Sequence, residues 1–163
     1  MTYPVNPLGG VDVTVINSTR CFAPGSEHMN EEGTTFKYLR NDAYTSIVPG
    51  LMYQIDTTNT LVSPTATKYT LPTALAVYQG PSTVTTESGS GGWFAIRGLM
   101  SVVQSGNMTV GTKVYPSSTY AGMVDALSGA LIQGASVVKT TTSGVGGQAK
   151  IRAIINLGTC MET

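Results

Sequence analysis

The clearest pattern in the chain is the apolar run from Trp93 to Val103. Apolar side chains occupy both alternating sets of positions in this run, and not only every second position. Successive side chains of a strand point to opposite faces, so a strand of this kind is buried on both sides. The pattern therefore predicts a long strand that is central in its sheet or covered by a neighbouring subunit.

Shorter alternating segments predict further strands in both halves of the chain. These strands are expected over residues 11–16, 34–40, 47–55, 74–78 and 148–157, the third split into a hairpin-like pair by a turn at Pro49 and Gly50. Segments rich in Gly, Pro, Ser and Thr predict loops between them. The loops are expected over residues 17–33, 56–73 and 79–92.

One segment permits two interpretations. Apolar residues within 120–127 have helical spacing, and Ser117 or Ser118 precedes them as a possible N-cap. Gly122 and Gly129 oppose a helix, because each costs up to about 1 kcal/mol relative to alanine in a helix. The segment is therefore predicted to be strand or loop, with a short helix as the alternative.

Together these elements predict an all-β protein, either a small β-barrel or a β-sandwich, with an extended N-terminal arm. The first ten residues contain two prolines and two glycines, a composition that favours an extended segment. The predicted organisation has three parts: an arm over residues 1–10, an N-terminal β-rich region with long loops over residues 11–92, and a C-terminal β-barrel region over residues 93–163.

The composition indicates a protein that works in an assembly. Charged residues make up 11% of the chain, against about a quarter in a typical soluble domain. A surface so poor in charge gives a free monomer low solubility, which predicts that partner molecules cover much of it. The hydrophobic fraction of 41% argues against disorder.

Charge and hydropathy also limit the possible partners. The net charge is zero, and lysines and arginines are spaced singly, without the basic stripe that follows a phosphate backbone. We therefore expect no nucleic-acid partner. No stretch approaches the length of a membrane span, and the N-terminus lacks the pattern of a signal peptide. Synthesis in a cytoplasm and no membrane partner are expected.

A search for catalytic chemistry finds no strong candidate. The single histidine, His28, is expected to be a solvated loop residue, since no second histidine completes a common zinc set. Cys21 and Cys160 match neither a zinc site nor a redox pair, and two unpaired thiols are expected. Gly144 and Gly146 open a loose dinucleotide motif, but a strand-like pattern follows them. The sequence thus predicts no enzyme, no metal and no cofactor.

Trp93 is the only tryptophan, and it follows Gly91 and Gly92 at the start of the long strand. Aromatic rings supply large contact areas at low entropic cost. Three roles stay open for this residue: a stacking platform for a ligand such as a sugar, an anchor in a subunit interface, and a core plug at one end of a barrel.

The order of features from Trp93 to Leu157 resembles the C-terminal β-barrel of tailed-phage capsid decoration, or cement, proteins of the lambda head-decoration type. The similarity covers about two fifths of the chain. Residues 36–40 and 47–53 are similar in style to the N-terminal part of such proteins. The resembling segments in the C-terminal half are residues 93–103, 110–115, 121–124, 130–137 and 146–157.

This resemblance implies a structural viral protein that binds the outer surface of an icosahedral phage capsid and stabilises it. It also implies a homotrimer, the major capsid protein as partner, and a place on the virion exterior after synthesis in the bacterial host cytoplasm. The N-terminal half is longer than that of the compact lambda-type protein, and the resemblance assigns no role to residues 17–90. The alternative is a carbohydrate- or receptor-binding β-module of a phage tail or fibre. The resemblance assigns the arm to capsid contact, through Tyr3, Pro4, Val5, Pro7 and Leu8.

Overall fold

The computed structural model describes residues 11–19, 21–42, 45–64, 75–126, 130–132, 135–140, 144–154 and 160–162. Within these ranges the regular secondary structure is entirely β, and no helix occurs. The predicted all-β class is confirmed. The predicted arm, residues 1–10, lies outside the described residues.

The described part of the chain contains fifteen strands. They are β1 (Ile16–Asn17), β2 (Glu27–Met29), β3 (Thr35–Asn41), β4 (Thr45–Ile47), β5 (Met52–Ile55), β6 (Leu61–Pro64), β7 (Leu75–Val77), β8 (Val84–Thr86), β9 (Ser90–Gln104), β10 (Tyr115–Pro116), β11 (Val124–Asp125), β12 (Ala130–Ile132), β13 (Ser136–Thr140), β14 (Gly147–Ile154) and β15 (Cys160–Glu162). Eleven of them form one sheet, while β4 pairs with β8 and β12 with β15. The described strands do not close into a barrel, and they are compatible with a sandwich or an open, barrel-like sheet.

Strand β9 is the centre of the large sheet. At Gly92 it pairs with Ile16 of β1 and with Leu39 of β3, so both of its edges are occupied. Near its end it pairs with β14 along eight residues and with β11 at Gln104. The predicted long central strand is confirmed. It begins before residue 93, so the predicted boundary between the two β regions falls inside β9.

The glycines before Trp93 belong to this strand and not to the predicted loop. A Cβ atom on Gly91 would lie 2.5 Å from the hydroxyl oxygen of Tyr38, and one on Gly92 would lie 2.2 Å from Cδ1 of Ile16. Glycine is therefore required where β1 and β3 approach β9 closely. A glycine-rich composition usually indicates a flexible loop, but these two glycines leave space for the side chains of the neighbouring strands.

The two faces of β9 contact two different hydrophobic clusters. The first cluster comprises Val13, Phe36, Tyr38, Met52, Leu75, Val77, Trp93, Ala95, Met100, Val102, Met108, Val114, Val124, Ile132, Ala135, Val137, Ala149 and Ile151. The second cluster comprises Leu39, Ile47, Tyr53, Ile55, Ala76, Tyr78, Phe94 and Ile96. Since adjacent residues from Trp93 to Ile96 enter different clusters, this part of the strand is buried on both sides, as its apolar pattern predicts. Both predicted β regions contribute to the first cluster.

A bulge at Ile96, shortly before Gly98, changes which positions of β9 face the first cluster. Before Gly98 the odd positions Trp93 and Ala95 face it, whereas after Gly98 the even positions Met100 and Val102 do. Thr35 and Phe36 of β3 lie opposite Arg97 and Ala95, which leaves Ile96 as the extra residue, and the nearby Gly98 has a φ of 99°. One extra residue in a strand exchanges its two faces, and the positive φ favours glycine. The single bulge therefore keeps apolar residues in the core along the whole strand.

Two predicted elements are wrong. The strand expected over residues 11–16 is reduced to β1, because Asp12 Oδ1 accepts hydrogen bonds from the backbone nitrogen and hydroxyl of Thr14 and closes a local turn. The hairpin expected over residues 47–55 does not form. Strand β4 pairs with β8, and β5 pairs with β6 and β7. Two hydrogen bonds hold the intervening Gly50, from its nitrogen to Tyr78 and from Val103 to its carbonyl oxygen.

The predicted loops contain short strands. Strand β2 lies within residues 17–33, β8 lies within 79–92, and β6 lies within 56–73; residues 65–74 are outside the described part. These strands are too short to show a period in the sequence; β2 and β6 pair with the neighbouring strands β3 and β5, and β8 pairs with the distant strand β4. Tertiary contact therefore decides their conformation.

The turn between β5 and β6 is organised by Asp56. Its Oδ1 accepts hydrogen bonds from the backbone of Thr58 and Thr60 and from the Thr58 hydroxyl. Burial opposes ionisation of this carboxyl, but these hydrogen bonds and the nearby Arg40 outweigh it and lower the pKa of Asp56 below its usual value. A charged side chain thus fixes the turn at the start of the segment that the composition predicts to be a surface connection.

The segment for which the sequence permits strand, loop or a short helix forms a turn followed by a strand. The hydroxyl of Ser117 accepts hydrogen bonds from the backbone nitrogens of Thr119 and Tyr120, which resembles an N-cap, but a single turn follows and leads to β11. The prediction of strand or loop is confirmed for residues 117–126. Likewise β14 has its predicted faces in the described part, with Ile151 buried and Lys150 exposed.

Candidate interaction surface at the aromatic cluster

Trp93 lies at the centre of an aromatic cluster formed by Phe22, His28, Tyr38 and Trp93. The ring centroids of Phe22, His28 and Tyr38 lie 5.1, 5.9 and 5.3 Å from that of Trp93, all in edge-to-face arrangements. This geometry is favourable for aromatic pairs. Trp93 is only 3% exposed, whereas Phe22 is 40% exposed. Phe22 is thus the ring of the cluster that solvent or a partner reaches.

The strand register brings these rings together. Tyr38 of β3 lies directly opposite Trp93 of β9, and His28 of β2 pairs with Phe36 of β3. Side chains at opposed positions of neighbouring strands share one face and contact each other. His28 is therefore a half-buried strand residue packed against Trp93, and the prediction of a solvated loop histidine is wrong. The short strand β2, hidden in a polar segment, accounts for the difference.

Phe22 is positioned by a backbone contact. The backbone nitrogen of the neighbouring residue Cys21 donates a hydrogen bond of 3.1 Å to the Tyr38 hydroxyl. The Phe22 ring also lies 5.3 Å from the Tyr38 ring. Sequence reasoning assigns Phe22 to a loop without function; its only signal is a large aromatic residue inside a polar, proline-containing segment.

A shallow pocket opens beside the cluster, with a volume of about 320 Å³. Trp93 and Phe22 contribute aromatic walls, and the 41% exposed Val15 adds an aliphatic one. The polar contributions come from Asp12 and Asn17, of which Asp12 has one carboxylate oxygen engaged with Thr14. The lining residues are Val11, Asp12, Val15, Asn17, Cys21, Phe22 and Trp93.

The segment that forms one side of this pocket is fixed to the sheet. The hydroxyl of Tyr78, in the second cluster, donates a hydrogen bond of 2.6 Å to the carbonyl oxygen of Thr14. The next residues, Ile16 and Asn17, pair with β9. Val11, the first described residue after the predicted arm, therefore reaches the pocket that Trp93 lines. The predicted arm contacts Tyr3, Pro4, Val5, Pro7 and Leu8 lie outside the described residues.

Tyr53 is the second side chain, after Asp56, whose pKa is shifted, and it contributes to the fold. Burial raises the pKa of Tyr53, and a hydrogen bond from the backbone nitrogen of Val48 only partly offsets this. The neutral phenol then donates to the carbonyl oxygen of Ser46, which ties β4 to β5. Cys21 is an exposed free thiol.

The loose dinucleotide motif, a metal site and a membrane span are the other possibilities that the sequence raises. Gly144 and Gly146 form a turn with positive φ that leads into strand β14, so the loose dinucleotide motif does not precede a helix. Among the residues that the structure describes, no group of three or more His, Cys, Asp or Glu side chains is arranged to hold a metal ion. In the same ranges, no helix is long and apolar enough to cross a membrane.

Comparison with known proteins adds no relative: no protein-family model matches the sequence, and no curated protein matches it.

Proposed function

We propose that this chain is a structural protein of a phage virion, a decoration or cement protein that binds the outer surface of the capsid as a homotrimer. The observation that carries the proposal is the position of Val11. The point where the predicted arm joins the fold lies at an exposed apolar pocket formed by Val15, Phe22 and Trp93. We expect the pocket and the residues that precede Val11 to contact the major capsid protein together.

The rest of the fold suits a passive structural role. Beneath the pocket, from Ser90 to Ile96, strand β9 is buried on both faces and paired on both edges, which gives a rigid base. Stabilising a shell requires many repeated contacts of modest strength, since multivalent attachment multiplies weak affinities. A pocket with two partly exposed apolar side chains provides a contact of that kind.

Deleting residues 2–10 should abolish capsid binding and leave the trimer intact. The arm supplies contacts to the capsid in this proposal, whereas the trimer is held by the folded part. The measurement is occupancy on undecorated capsids of the phage that encodes the chain, by electron microscopy, with sedimentation of the free protein as the control. Full occupancy by the shortened chain would exclude the arm as the attachment element.

Replacing Phe22 with alanine should weaken capsid binding about tenfold, because a partly exposed aromatic ring at the pocket is a typical energetic centre of an interface. Tyr120→Ala provides a matched control. Tyr120 is also aromatic and is 42% exposed, against 40% for Phe22, but it lies outside the pocket. Binding titrations on capsids with both variants test the prediction. Equal weakening by the two substitutions would show that the pocket has no special role.

A carbohydrate- or receptor-binding module is the second candidate, because the pocket combines an exposed ring with polar groups. Phe22 offers a stacking surface, and Asp12 and Asn17 offer groups that bond hydroxyls. A glycan array with wild type and Phe22→Ala distinguishes this candidate. Phe22 is the appropriate position for the substitution, since Trp93 is buried and its loss damages the core. Glycan binding that depends on Phe22, without capsid binding, would favour this second function.

A further inference from the structure

The exposed face of the sheet formed by β9, β13 and β14 carries positive charge that the linear sequence disperses. On β14, Lys150 and Arg152 are exposed and alternate with the fully buried Ala149 and Ile151. The two cations therefore share the outer face of the strand.

The strand register adds two more cations to this face. Lys139 of β13 lies directly opposite Lys150, and Ser136 lies opposite Arg152. Lys113 forms an isolated antiparallel bridge with Ser136. All of these residues are exposed, and directly opposed side chains lie about 5 Å apart on the same face. We call Lys113, Lys139, Lys150 and Arg152 the basic face.

Strands β9, β13 and β14 contain no acidic residue of their own. Between Trp93 and Leu157 the sequence contains one acidic residue, Asp125, which accepts a hydrogen bond from the Ser105 hydroxyl. Among the described residues, Lys37 pairs with Glu27 and Arg40 with Asp42, and neither ion pair includes a residue of the basic face. Like charges directly opposite each other, as at Lys139 and Lys150, destabilise a sheet. An anionic partner removes this repulsion.

We propose that the basic face binds an acidic protein surface and, building on the proposed function, that this surface belongs to the capsid shell. The residues paired with the cations are Leu99, Ser101 and Ser136, with no aromatic ring among them on which a nucleic-acid base could stack. Val138, beside Lys139, is 41% exposed. Apolar and cationic groups in one patch are typical of a protein interface.

The substitution Lys150→Glu tests the proposal without damaging the fold. It places a carboxylate opposite Lys139, so the free protein should unfold at a temperature no lower than wild type. Binding to undecorated capsids at about 0.15 M salt should nevertheless weaken about tenfold, because complementary charge is replaced by repulsion. Wild-type binding should also weaken as salt is raised, and the variant should show less of this salt dependence.

The matched control is Ser82→Glu combined with Thr85→Glu. It changes the net charge by the same amount as Lys150→Glu, at exposed positions in and before β8. This control should bind capsids like wild type. If the control and Lys150→Glu weaken binding equally, overall charge accounts for the effect and the basic face is excluded as the contact.

The remaining outcomes separate the two proposals. Equal capsid binding by wild type and Lys150→Glu would overturn the basic face and leave the proposed function standing. Absence of wild-type binding at any salt would overturn the proposed function, and the capsid-facing role of the basic face with it. A short DNA duplex serves as the third probe. Duplex binding that Lys150→Glu abolishes, with capsid binding unchanged, would make the face a nucleic-acid site and contradict the proposal.

Discussion

Replacing Gly98 with alanine should lower the free energy of unfolding by about 3 kcal/mol. Two costs add at this position. Its φ of 99° is unfavourable for any residue with a Cβ atom, and that atom would lie 2.9 Å from the carbonyl oxygen of Gly33 and from Cα of Thr34. These neighbours are backbone atoms, which cannot move away as a flexible side chain does. Chemical denaturation followed by circular dichroism measures the loss.

Two other glycines separate the costs. Gly89 has a similar φ of 91° but open space around it, so Gly89→Ala should cost only the conformational part, about 1 to 2 kcal/mol. Gly106 has neither a positive φ nor a close neighbour, so Gly106→Ala should leave stability unchanged or raise it by up to about 1 kcal/mol. A Gly98→Ala variant as stable as Gly89→Ala would show that the backbone of Gly33 and Thr34 does not approach Gly98 closely.

Replacing Trp93 with alanine should cost about 3 to 5 kcal/mol of stability, the range for removing a large aromatic side chain from a core. The ring is 3% exposed and contacts the rings of Phe22, His28 and Tyr38, so its removal leaves a cavity between β2, β3 and β9. Trp93 is the only tryptophan. Circular dichroism must therefore follow the unfolding of this variant in place of tryptophan fluorescence.

Tyr120→Ala is the control for this substitution as well, because it removes an aromatic ring that is 42% exposed. It should change stability by about 0.5 kcal/mol or less. Trp93→Phe should fall between wild type and Trp93→Ala, since phenylalanine retains part of the aromatic contact. A loss below about 1 kcal/mol for Trp93→Ala would mean that the ring contributes little to packing, contrary to its burial.

Several features of the fold follow from local pattern alone. The apolar run around Trp93 predicts a doubly buried central strand, and β9 has that position. The alternation of Lys150, Ile151 and Arg152 likewise predicts the inner and outer faces of β14. In both cases the period of side chains along one strand contains the information, because neighbouring residues of a strand always point to opposite faces.

Local pattern fails where side chains compete with it or where partners are remote. Residues 11–16 alternate well, yet Asp12 closes a turn with Thr14 and leaves only Ile16 in a strand. Strand β2 has no visible period, yet its pairing with β3 places His28 against Trp93. Strand β8 pairs with the remote strand β4, and pairing of this kind outweighs the small local preferences of such short segments.

The features of the candidate surfaces also divide into those that the sequence predicts and those that only the fold creates. The proline-containing start of the chain, its single tryptophan and its low content of charged residues can be read directly from the sequence. The basic face cannot, since Lys113, Lys139, Lys150 and Arg152 become neighbours only through the register of paired strands. The aromatic pocket also requires the fold, because β1, β3 and β9 must meet before Val11, Phe22 and Trp93 share one surface. Strand periodicity is a property of consecutive residues, whereas a surface is made by pairing between residues far apart in the chain.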